Sequence, residues 1–136
     1  MIYLDASALV KLIRRESETP ALFAWLGDHA SVVRVSSCLA EIEVARAIQR
    51  YDPVALARIP GVMARVYRIE IDARIRAIAV AHEDMLLRSL DAIHLATAEM
   101  LALVFEGEAL DAFVAYDERL LAAAQGRGLA VASPGT

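Results

Sequence analysis

A three-residue apolar run, Ile2-Tyr3-Leu4, stops at Asp5, and a helical pattern begins immediately behind it with Ala8, Leu9, Leu12 and Ile13 at helical spacing. This junction constrains the fold more than any other stretch. A short run that is apolar at every position suits a strand covered on both faces, as in a parallel sheet flanked by helices; a strand with one wet face would alternate. Asp5 then falls at the strand's carboxyl end, the edge where ligands bind in open α/β sheets. The same place is that of a helix N-cap, where an aspartate accepts backbone N–H bonds, so Asp5 alone is open to either use.

The alternation repeats along the chain. The first helix is expected from Ser7 to about Arg15, and Thr19-Pro20 signals a second that ends near Gly27. Ser31 to Ser36 is rich in β-branched residues and reads as the second strand. Ser37 to Arg50 reads as a helix whose circumference is mostly apolar, with Glu43, Arg46 and Arg50 on one polar stripe; a helix packed on several sides would turn that stripe toward a cleft. Pro53 to Tyr67 reads as a helical hairpin broken at Pro60-Gly61, Arg68 to Ile71 as a third strand, Asp72 to Val80 as a helix, and His82 to Arg88 as a broken helix. His82, Glu83 and Asp84 are adjacent and would not converge on a helix.

Ser89 to Val104 is the longest helical pattern, with Asp91 in its first turn and His94 one turn on, on the same side. His94 reads as a satisfied core histidine. After 106–108 comes a fourth strand around Phe113-Val114-Ala115. It leads to Asp117 and a helix to Gln125, and Leu129 to Val131 forms the last strand. The expectation is one domain over residues 1–136, three-layer α/β/α, with a central, mostly parallel sheet of four to five strands.

Composition narrows the function classes. No apolar run reaches the roughly 18 residues of a membrane span, and Met1 leads into a strand without a charged leader, so the expected setting is cytoplasmic. Cys38 is the one cysteine, read as a small buried hydrophobe in a reducing compartment. A net charge of −4 is the wrong sign for gripping nucleic acid by bulk electrostatics, so a polyanionic substrate needs local help. Lys11 is the only lysine among 14 basic residues, and arginine is the better residue for forked phosphate contacts, although codon usage explains the same bias equally well. The apolar fraction of 58% exceeds the roughly 45–50% usual for soluble domains, which points to a surface with a partner.

Asp5, Asp91 and Asp117 all lie at strand-to-helix or helix-start positions, and Glu43 lies on the polar stripe of its helix. If the strands are parallel, the four acids can meet at one edge. Two carboxylates about 4 Å apart repel by around 4 kcal/mol at an effective dielectric of 20, so such a cluster favours a cation. Oxygen-only ligation calls for a hard ion, Mg²⁺ or Mn²⁺. Ions held this way activate a water and clamp the oxygens of a phosphodiester, with no protein nucleophile required. A haloacid-dehalogenase-like phosphatase would want an acid where Ser7 stands, and a receiver domain would want paired acids before its phosphorylated aspartate; neither pattern occurs.

Four blocks, Ile2 to Leu12, Ser37 through Glu43-Val44-Ala45-Arg46-Ala47, Leu87 to Ala96 and Tyr116 to Leu120, resemble in order the signature blocks of PIN-domain ribonucleases, in particular VapC-like toxins of toxin-antitoxin pairs. The resemblance covers essentially the whole chain. It implies a PIN-like (Rossmann-like) α/β/α fold, an Mg²⁺ or Mn²⁺ site and endonucleolytic RNA cleavage restrained by a small antitoxin protein. Asp5, Glu43 and Asp91 match the family's three most regular acids and Asp117 the more variable fourth; Ser7 matches a small polar residue supporting the first. Arg46 is taken as a further supporting residue. Ala115 departs from the family, where many relatives carry a threonine. A homodimer is expected from the apolar excess and the 53–67 segment. The alternative is an inactive PIN scaffold that binds a protein partner.

Overall fold

The computed structural model describes residues 1–84, 86–105 and 110–136. Five strands, β1 (Ile2–Leu4), β2 (Arg34–Ser37), β3 (Tyr67–Ile69), β4 (Ala112–Val114) and β5 (Val131–Ala132), form one sheet in the order β3-β2-β1-β4-β5, and every neighbouring pair is parallel. Around it lie α1 (Ala6–Ile13), α2 (Thr19–Asp28), α3 (Leu39–Tyr51), α4 (Ile59–Met63), α5 (Ala73–Val80), α6 (Ser89–Val104) and α7 (Glu118–Gly126), with a 3-10 segment at Pro53–Arg58.

Alternation along the strands sends side chains to opposite faces. Ile2, Leu4, Ala112 and Val114 pack under α1, α2, α3 and α4, whereas Tyr3 and Phe113 pack under α6 and α7. Helix α5 lies against α6. This covering of both faces is why β1 is apolar at every position, and all three of its residues are fully buried. The chain runs outward from β1 to β2 and β3, then returns to the other side of β1 for β4 and β5. The order therefore reverses between β1 and β4, and the carboxyl ends of those two strands carry Asp5 and, three residues past β4, Asp117.

Several boundaries differ from the sequence expectation. Strand β2 starts at Arg34, because Val32 N–H is used in a turn to the His29 carbonyl. Pro60 lies in the first turn of α4, where a missing N–H costs nothing, so Pro60-Gly61 starts that helix instead of interrupting the hairpin. Residues 82–84 and Arg88 are irregular and Leu86 and Leu87 form a turn and a bend, with Leu86 N–H on Asp84 Oδ1 at 2.8 Å, where a broken helix was expected. Strand β5 starts at Val131 because Leu129 N–H closes the end of α7 on the Ala124 carbonyl; Gly128, at φ 79, makes that turn. Helix α3 buries one stripe, Ala40, Val44 and Ile48, and leaves Ile42 61% exposed, so it is not packed on several sides. Cys38 is half-buried, short of the buried position expected. Residues 106–109, ahead of the expected fourth strand, lie outside the described residues. No helix is long and apolar enough to cross a membrane among the described residues.

Candidate active site

Asp5 follows β1 directly, its N–H bonded to the Val114 carbonyl of β4 at 3.0 Å, which sets its backbone at the edge between the two central strands. The residue is buried, and its Oδ1 accepts from Ser7 Oγ at 2.6 Å and from Ala8 N–H at 3.0 Å. Ser7 Oγ in turn accepts the Tyr116 N–H at 2.9 Å, tying the first acid to the loop that carries the fourth. Asp117 caps α7 through the N–H groups of Arg119 and Leu120, at 2.9 and 3.1 Å. Asp5 and Asp117 are thus helix caps as well as edge acids. Asp91 is not a cap: Arg88 holds that position on α6, and the Asp91 side chain makes no hydrogen bond among the described residues.

Glu43 lies in α3, on one face of the sheet, and His94 in α6, on the other. Their side chains meet, with His94 Nε2 2.7 Å from Glu43 Oε2. His94 is buried and both its nitrogens are engaged, as a core histidine requires, but its partner is one of the four acids. Sequence spacing missed that contact, and also the role of Arg88 near Asp91. For Arg88 the signal present was its i−3 spacing from Asp91; the His94–Glu43 contact, 51 residues apart in the chain, has no local signature.

The carboxylates share a field. Burial pushes the Asp5 carboxyl above its usual range, opposed by His94, the Ser7 hydroxyl and the Ala8 N–H, while the charge of Glu43 adds to the rise. Burial likewise raises Asp91, reinforced by Asp117 and by Glu43 and opposed by Arg88 and His94. Partial burial works to raise Asp117 too, but the Leu120 and Arg119 N–H bonds and the Arg119 guanidinium outweigh it and hold that carboxyl below its usual range. Asp5 therefore senses Glu43, and Asp91 senses both Glu43 and Asp117. As the side chains stand, no three His, Cys, Asp or Glu residues form a ready-made metal-ligand set among the described residues. Asp5 and Asp117 each turn one oxygen to helix N–H groups, and Glu43 turns one to His94. Electrostatic influence reaches further than direct ligation, so the acids share a field without forming a ligand set as the side chains stand.

Arg46 is exposed and makes no ion pair with Glu43 among the described residues. Ala115 is buried in the apolar layer under α6 and α7, its N–H on the Ala132 carbonyl. His82 turns its Nε2 to Glu99 at 2.8 Å, away from Glu83 and Asp84. The donor set at the edge is carboxylate oxygen, with the nearest imidazole already bonded to Glu43. That chemistry fits a hard divalent cation, which would relieve the two acids raised by burial and by their neighbours.

A family model described as PIN domain matches residues 2–126. The chain is 50% identical over 135 residues to "Ribonuclease VapC35" of Mycobacterium tuberculosis, covering 99% of this chain and 98% of that protein. It is 42% identical to "Ribonuclease VapC46" of the same organism, over 98% of this chain and 97% of the other. Among solved structures, a "Toxin-antitoxin complex from Klebsiella pneumoniae" has the same fold, with TM-score 0.70 at 23% identity over 98% of both chains.

Proposed function

This chain belongs to the PIN-domain family, and from that premise we propose that it is a metal-dependent endoribonuclease and the toxin of a toxin-antitoxin pair, built as a single catalytic domain acting in the cytoplasm. The observation that supports the reading is the shared field of the acids about the switch point between β1 and β4: Asp5 is raised by burial and by the charge of Glu43, and Asp91 by burial and by the charges of Asp117 and Glu43.

Asp5, Glu43, Asp91 and Asp117 would hold Mg²⁺ or Mn²⁺. A bound ion of this kind supplies an activated water and stabilises charge developing on the phosphodiester. The chain's own residues supply placement. Ser7 and the Ala8 N–H fix the Asp5 carboxylate, the N-terminus of α7 fixes Asp117, and Arg88 and Arg119 offer positive charge beside the outer two acids, where the net charge of −4 otherwise repels RNA.

The antitoxin reading is supported by two hollows beside α1 and α2 that share Leu12 and Phe23 in their walls. One, about 400 Å³, is also lined by Lys11, Arg14, Arg15 and Arg58, and the other, about 250 Å³, by Leu26, Val62 and Val66. Apolar floor and basic rim suit an amphipathic acidic helix laid into a groove. Exposed Val54, Leu56 and Tyr67 in the 53–67 segment support a homodimer. The test is incubation of the purified protein with single-stranded RNA, with Mg²⁺ or Mn²⁺ and with EDTA. Endonucleolytic fragments in the first and none in the second are expected.

A further inference from the structure

We infer that His94 is a positioning residue, which, with Tyr3 behind it, holds the Glu43 carboxylate in place for the cation. The inference rests on the metal-site reading of Glu43 and deepens it.

The geometry is a chain of four groups running from the sheet interior to the site. Ser37 N–H, at the end of β2, donates to Tyr3 Oη at 3.0 Å. Tyr3 Oη lies 2.8 Å from His94 Nδ1, and His94 Nε2 lies 2.7 Å from Glu43 Oε2. An ionised carboxylate only accepts, so Nε2 carries a hydrogen and donates it to Glu43. Nothing in the chain is loose. Tyr3 is fully buried, stacks on Phe113 with centroids 5.1 Å apart and an interplanar angle of 6°, and meets the His94 ring edge-on at 81°. His94 is 2% exposed. The imidazole is thus oriented at both nitrogens and by packing, while Glu43, on the opposite helix layer, has no other hydrogen bond among the described residues.

Glu43 has three rotatable side-chain bonds and a partly exposed carboxylate, so without this anchor it would sample several rotamers. One donor on Oε2 removes that freedom and leaves Oε1 able to face a cation. Outer hydrogen-bond partners of metal-binding carboxylates are worth about 10–100-fold in metal affinity. The same bond pins α3 to α6 across the sheet edge, which keeps Glu43 on one side of the site and Asp91, three residues before His94, on the other.

The experiment is Mn²⁺ titration by calorimetry on the full chain, comparing parent, His94→Gln, His94→Asn, Glu43→Gln and the double variant Glu43→Gln/His94→Asn, with each fold checked by circular dichroism in EDTA. A glutamine amide places its N–H near the Nε2 position and can donate to Glu43, whereas an asparagine amide reaches only the Nδ1 position. The expected result is near-parental Mn²⁺ affinity for His94→Gln, a loss of about 10–100-fold for His94→Asn, and no further loss when His94→Asn is added to Glu43→Gln. Equal affinity of the Gln and Asn variants, or a full additional loss in the double variant, would overturn the positioning role. If Glu43→Gln itself binds Mn²⁺ like the parent, the metal-site reading fails instead, and the two failures are distinguishable.

Discussion

Ser7 joins Asp5 to the loop before α7: its hydroxyl donates to Asp5 Oδ1 at 2.6 Å and accepts the Tyr116 N–H at 2.9 Å. Removing it leaves a partly buried N–H unpaired and deprives a buried carboxylate of its shortest hydrogen bond. Ser7→Ala should cost about 1–3 kcal/mol of stability in urea unfolding. Since the Ser7 bond lowers the Asp5 carboxyl, its loss should raise that group further. An unchanged unfolding midpoint would show that the bond is replaced by water.

Asp91 adds charge to an edge that already holds Asp117 and Glu43. Its folded pKa is raised, so the relative stabilisation is present below the unfolded value of about 4 and is lost as pH rises through the folded one. In EDTA, Asp91→Asn should therefore gain stability over the parent as pH is raised from 4 to neutrality. Mn²⁺ reverses the order, because a cation that binds only the folded parent adds about 2.7 kcal/mol at a hundredfold excess over its dissociation constant. Thermal melts of both proteins at several pH values, in EDTA and in Mn²⁺, read both effects.

The opposite sign applies at Glu18, which the Lys11 ammonium at 2.9 Å holds down at about 2. Its contribution is present above the ordinary carboxylate value and is lost as pH falls toward 2. Lys11 also reaches Glu16 at 2.6 Å and lies over the Tyr116 ring at 4.6 Å, so it links α1 to the α1–α2 loop and to the loop before α7. Glu18→Gln should flatten the acid limb of the stability curve slightly, and 1 M salt should do the same to the parent, because the pair is only partly buried.

The apolar surface yields a prediction of assembly. In the 53–67 segment Val54 and Tyr67 are 88% and 70% exposed. A stable dimer would bury about 1,200–2,000 Å² in total. Light scattering at tens of micromolar should give twice the mass of one chain, and co-expression with the neighbouring small gene should yield a complex that Phe23→Asp weakens. A monodisperse monomer would contradict the dimer.

The parallel sheet was legible in the apolar run before Asp5 and in the strand-acid-helix repeat, because a strand buried on both faces has no room for polar residues. The edge position of Asp5 and Asp117 followed from the same pattern. Strand ends were less legible, since Val32 and Leu129 have β-like sequence but their N–H groups are used to close turns and a helix end. Whether an acid caps a helix was not legible at all, as a cap and an edge acid have the same sequence position; the structure shows Asp5 and Asp117 capping α1 and α7 at the β1–β4 edge and Asp91 doing no capping. The His94–Glu43 bond spans 51 residues and joins opposite layers, so no local pattern could contain it.

The most direct measurement is RNA cleavage by the parent, Asp5→Asn and Asp91→Asn, each folded by circular dichroism, with Mn²⁺ present and with EDTA. The parent with Mn²⁺ should cut, and EDTA should abolish cutting. Each variant should fall by roughly 100-fold or more, as expected when a preorganised charge-stabilising group is removed. Parent-like cutting by either variant, or cutting that persists in EDTA, would contradict a carboxylate-held cation at the β1–β4 edge.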